Sequence, residues 1–141
     1  NESPQQNIMY LDFTSLLFVG HVSLNYERVF TRNLNLRLGY GAAGYLPIFE
    51  EGSRGLHGPL VMINYVTENF PSKFEAGLGG GFSFINQNDS WGDIANRSYS
   101  FLPAIAIGYR YQSRSGIFLR AGLEFVHLYG FPVHVSTGIA F

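Results

Sequence analysis

The chain is 141 residues long, one domain's worth of protein, and only 13% of it is charged while 46% is apolar and 16% aromatic, too few charges for an ordinary water-facing surface, where roughly 25% is usual. Glycine, proline or polar residues interrupt its uncharged stretches before the roughly 18–20 apolar residues that a spanning helix needs, so no transmembrane helix is expected. A net charge of -1 and nine basic residues scattered singly exclude the positive stripe that a nucleic-acid partner demands.

Residues 1–7 read as a flexible N-terminal segment, and its polar NESPQQ opening reads as the start of a mature, exported chain whose leader has been removed. The absence of cysteine predicts no disulfide, no thiolate metal site and no lipid-bearing cysteine. Seventeen glycines beside thirteen Phe, nine Tyr and one Trp suit strands and disfavour helices. Turn signals then divide residues 8–141 into eight predicted strands. Ile8–Leu17 is the first, followed by a tight turn at Val19-Gly20, and His21–Phe30 is the second, closed by Thr31-Arg32-Asn33. Leu34–Tyr45 leads into a long polar loop, Leu46–Gly58, before Pro59–Thr67, where proline is tolerated as the first residue of a strand. A short turn around Asn69-Phe70-Pro71-Ser72 precedes Phe74–Asn86, and a second long loop, Gln87–Ser98, precedes Tyr99–Gln112. Ser113–Gly116 turns into Ile117–Tyr129, and Gly130-Phe131-Pro132 joins that strand to Val133–Phe141. Short turns and both termini fall at one end and long loops at the other.

Alternation with a period of two separates two sets of side chains. One is bulky and apolar, as in Leu34, Leu36, Leu38, Tyr40 and in Phe101, Ile105, Ile107, Tyr109, Tyr111. The other is small or polar, as in Asn35, Arg37, Gly39, Gly41 and in Ala104, Ala106, Gly108, Arg110. An eight-stranded barrel cannot hold several large side chains from every strand, so the small set must face the lumen and the large set must face hydrocarbon. The fold class is therefore an all-β, eight-stranded antiparallel up-and-down transmembrane β-barrel. Tyr26, Phe30, Tyr65, Phe74, Tyr109, Tyr111 and Phe141 at the turn end, and Phe49, Phe84, Phe101, Phe125, Tyr129 and Phe131 at the loop end, would form its two aromatic girdles.

The C-terminal segment VHVSTGIAF places Val133, Val135, Ile139 and Phe141 at alternate positions and ends on an aromatic residue. It resembles the terminal strand of outer-membrane β-barrel proteins, and VSLNYERVF, LNLRLGYG and IGYRYQSRSGIFLRAG resemble small outer-membrane barrels of Bacteroidota-type bacteria. The resemblance implies a bacterial outer-membrane location with periplasmic termini. It also implies contact with outer-membrane lipid, and insertion by the barrel-assembly machinery through the signal at Phe141, Ile139, Val135 and Val133.

Inward-facing charges are the strongest candidates for chemistry. Asp12, Glu27, Glu75 and Glu124 oppose Arg37, Arg110 and Arg120, with Glu68 near the turn end, and the cost of burying an unpaired charge predicts a luminal ion-pair network. His21, His57, His127 and His134 all fall near the loop end, but parity sends His127 outward and His134 inward, and no metal site or cofactor is expected. Asp89 and Asp93 are too few for a calcium loop. His134-Val135-Ser136 resembles the His-x-Ser pair of outer-membrane lipid A deacylases. A last hairpin centred on Gly130 would place Glu124 opposite Ser136, yet parity aims both His134 and Ser136 at the lumen, and no acid follows Ser136 as that family requires. The expectation is a non-catalytic barrel serving as a structural or accessory subunit, in a larger outer-membrane complex. A lipid A-modifying enzyme and a narrow passive pore are the alternatives.

Overall fold

A period-two pattern suits strands only if each strand finds a partner on both edges, and a closed ring of strands provides this without leaving an edge exposed. The computed structural model, which describes residues 6–16, 19–45, 56–67, 71–85, 98–126 and 133–141, has this arrangement. Eight strands follow one another around the ring: β1 (Asn7–Leu16), β2 (Val19–Val29), β3 (Leu34–Tyr45), β4 (Leu56–Val66), β5 (Ser72–Ile85), β6 (Ser98–Gln112), β7 (Ile117–Val126) and β8 (Val133–Ala140). Every neighbouring pair is antiparallel, and β8 closes on β1, with Ile8 opposite Ala140 and Thr14 opposite His134. The closure is hydrogen-bonded to its end, Asn7 N–H to Phe141 O at 2.9 Å and Phe141 N–H to Asn7 O at 2.8 Å.

Several predicted boundaries move. Asn7, expected in the N-terminal segment, starts β1. Val19 and Gly20 are not a turn: they pair with Leu16 and Ser15 and open β2. Leu56, His57 and Gly58, expected in a loop, belong to β4, so Pro59 lies inside that strand. The ring tolerates it because the pairing of β4 with β5 passes from His57–Phe84 to Leu60–Gly81, skipping Gly58 and Pro59, which spares the proline a hydrogen bond it cannot donate. Gly58 is required there, since a Cβ would collide with the Phe82 carbonyl. Ser72 and Ser98 likewise join β5 and β6. Residues 46–55 and 86–97 of the two long loops, with Phe49, Asp89 and Asp93, lie outside the described residues, as do Glu68, His127, Tyr129, Gly130, Phe131 and Pro132.

At the opposite end the turn between β6 and β7 is tight. Ser113 N–H donates to Ile117 O at 2.8 Å, Ile117 N–H to Ser113 Oγ at 3.0 Å, and Gly116 has φ 91°, a left-handed conformation open to glycine at little cost.

The wall divides as the alternation requires. Leu78, Ile63, Phe101 and Ile139 are among the large apolar side chains pointing out, Leu78 being 66% exposed, whereas Arg37, Arg110, Glu27 and Glu75 are buried inside. Stability of such a barrel requires hydrocarbon around the wall, since in water this apolar belt would drive aggregation. Among the described residues the lumen nonetheless holds four large apolar or aromatic side chains: Ile8, Tyr10, Met62 and Phe118 are fully buried there. Room for Tyr10 comes from Gly138 directly across the ladder, where any side chain would run into Tyr10 itself.

Candidate functional site

The seven charged residues expected in the lumen, Asp12, Glu27, Arg37, Glu75, Arg110, Arg120 and Glu124, are all buried. They come from seven places on six strands and form two groups. In the first, Arg37 on β3 reaches across the lumen to Glu124 on β7 (Nη1 to Oε2, 2.6 Å) and to Asp12 on β1 (Nη2 to Oδ2, 3.1 Å). Its Nε donates to Asn25 Oδ1 at 2.8 Å, and Asn25 Nδ2 donates in turn to Ser23 Oγ at 2.8 Å. In the second, Arg110 on β6 lies between Glu27 on β2 (Nη1 to Oε1, 2.7 Å) and Glu75 on β5 (Nε to Oε2, 2.6 Å). Asn35 Nδ2 donates to Glu27 Oε1 at 2.5 Å. Arg120 ties the groups together: its Nε pairs with Glu75 Oε1, and its Nη1 stands 3.8 Å from Asp12 Oδ2.

Two aromatic rings sit among these charges. Tyr10 and Phe118 lie 4.9 Å apart between centroids, with Arg37 5.7 Å and Arg120 6.0 Å from the Tyr10 ring and Arg110 5.2 Å from Phe118, within reach of cation–π attraction. The Tyr10 hydroxyl also accepts a hydrogen bond from Arg120 Nη1 at 3.2 Å. Sequence reasoning missed both rings, although the signal was present: Tyr10 is two residues from Asp12 and Phe118 two from Arg120, so each shares the face of a residue already assigned inward. Ion pairs, amides and rings together cross the lumen from wall to wall.

The histidines separate. His57 faces outward and its Nδ1 lies 2.8 Å from the Tyr40 hydroxyl. His21 and His134 face the lumen on either side of Thr14, which pairs with both. The expected pairing of Glu124 with Ser136 does not occur. The β7–β8 register sets Arg120 opposite Ser136, Gly122 opposite His134 and Leu123 opposite Val133, pairs centred on residue 128 where the expected pairing is centred on Gly130. His134 and Ser136 are fully buried in the lumen and present nothing to lipid. Val133, Val135, Ile139 and Phe141 all point outward, each more than half exposed.

A closed antiparallel ring of eight strands, apolar outside and ionic inside, invites comparison with solved barrels. The N-terminal β-barrel domain of Pseudomonas aeruginosa OprF superimposes with a TM-score of 0.72 over 97% of this chain and 98% of that one, at 15% identity. The fold is that of the small outer-membrane β-barrels. The Yersinia pestis outer membrane protein Ail matches this barrel with a TM-score of 0.65 over 97% of this chain and 99% of that one at 12% identity, and Neisserial surface protein A with 0.51 over 96% and 92% at 15%. At these identities the likeness is one of architecture. No protein-family model matches the barrel, and no curated protein matches it in sequence.

Proposed function

We propose that the barrel resides in a bacterial outer membrane with its termini in the periplasm, and that it serves as a structural or accessory subunit of a larger outer-membrane complex without catalysing a reaction. The observation that carries this reading is the lumen: Arg37, Arg110 and Arg120 bridge carboxylates from facing walls, a plug where a conducting barrel needs open water. With the interior so filled, the lipid-facing wall and the outward connections are the surfaces left for function. Support for the non-catalytic part is that His134 and Ser136, the one pair resembling a lipid A deacylase, face inward. Val133, Val135, Ile139 and Phe141 would act earlier, as the signal read by the barrel-assembly machinery.

These 141 residues contain no cysteine, so single cysteines placed on the outer wall, Leu78→Cys and Ile63→Cys among them, can carry a photocrosslinker in intact cells. The expected result is a crosslink to one integral outer-membrane protein from a contiguous strip of wall positions and none from the opposite strip. Uniform labelling of lipid alone from every position would sink the subunit reading. Planar-bilayer recording should show no single-channel steps, and a steady conductance would instead establish the pore. A change in lipid A mass on overexpression would establish the enzyme.

A further inference from the structure

The two charge groups of the lumen are unequally satisfied. Among the described residues the buried charges are four carboxylates and three guanidiniums, and the deficit falls on the Arg37 side, where Asp12 and Glu124 share that one arginine as their close partner. Next to them His134 is completely buried, yet neither of its ring nitrogens has a hydrogen-bond partner, and the buried Ser136 hydroxyl beside it has none either. An imidazole and a hydroxyl taken from water and left unpaired in a protein interior each cost free energy, so the arrangement asks for a ligand that they and the two carboxylates could share.

We propose that Asp12, Glu124 and His134 form a binding site for a divalent transition-metal ion inside the barrel. One carboxylate oxygen from each acid and one imidazole nitrogen already lie within 4.8 Å of one another. Ligand atoms bound to one zinc ion at about 2.0–2.2 Å stand roughly 3–4 Å apart, so small side-chain torsions complete the triad. One imidazole with two carboxylates selects an ion of borderline hardness over calcium or magnesium, which prefer oxygen alone. Arg37 holds the acids in place through single oxygens, Oδ2 of Asp12 and Oε2 of Glu124, as groups behind metal ligands commonly do. A bound dication would shift the sum of the seven buried charges from one negative to one positive, so it adds no greater imbalance than it removes. Towards the loop end, the next luminal layer, Thr14 and His21, is only partly buried.

Zinc itself is the probe. Barrel refolded in detergent and stripped with chelator should take up one Zn2+ by calorimetry, with a rise in its thermal unfolding temperature. His134→Ala removes a ligand that has no protein partner and so leaves the fold intact by heat-modifiable gel mobility, while weakening Zn2+ affinity by roughly tenfold or more. His57→Ala, on the outer wall, should bind as wild type. In wild-type protein the ring 15N resonances of His134 should move on Zn2+ addition, a measurement independent of whether any variant folds. Unmoved His134 resonances, or equal Zn2+ affinity in His134→Ala and wild type, would overturn the proposal, and loss of binding in His57→Ala alone would assign the metal to the surface.

Discussion

The Arg37 and Arg110 sides of the lumen use the same chemistry to different ends. Around Arg110 each acid is matched more than once: Glu75 meets both Arg110 and Arg120, and Glu27 meets Arg110 and the Asn35 amide. Around Arg37 the proportion is reversed, two acids drawing on one close guanidinium beside an imidazole with no partner. A buried ion pair contributes little net stability compared with apolar packing but costs several kcal/mol to break on one side only. The redundancy around Glu75 therefore makes its side of the plug tolerant of change, whereas the Arg37 side depends on a single residue.

Substitutions test that asymmetry, and all can be read by urea unfolding in detergent. Arg37→Met should have the largest effect, about 3–5 kcal/mol, because it leaves Asp12 and Glu124 buried together with no close cation. Arg120→Met should cost less, about 1.5–3 kcal/mol, since Glu75 keeps Arg110 and only charge-assisted hydrogen bonds are lost. If the two variants were equally destabilised, the redundancy would be an illusion of geometry. Asn35→Ala removes one donor from Glu27, whose guanidinium partner remains, and a loss of about 1–2 kcal/mol is expected. Smallest should be His134→Ala without metal, about 1 kcal/mol or less, because a small cavity is offset by removal of an unpaired polar group. A cost above that of Asn35→Ala would mean that His134 has a protein partner and that the two sides are alike.

Most of the fold follows from parity along the chain. A strand turns successive side chains to opposite faces, so Asn35, Arg37, Gly39 and Gly41, or Arg120, Gly122 and Glu124, declare their common face locally, and the small set could fit only inside. Parity puts Glu27, Arg37, Glu75, Arg110, Arg120 and Glu124 on the small, inner face, and Tyr10 and Phe118 were within its reach. Strand ends were less legible. Val19, Gly20 and Pro59 have the chemistry of turns and strand starts, yet the ring carries its strands through them, because pairing with both neighbours outweighs local preference.

What the sequence determined by itself, then, was the hydrocarbon-facing wall, the polar lumen and the identity of the charges within it. Only the tertiary structure decided which charges meet. Arg37 and Glu124 are 87 residues apart, and no local pattern links them. A slip of register by an even number of residues leaves every side chain on its own face, so alternation could not distinguish Glu124 opposite Ser136 from the observed Arg120 opposite Ser136. Closure of β8 on β1 then brings Asp12 beside Ser136. Together, register and closure leave two acids and an unpaired imidazole in one corner of the lumen.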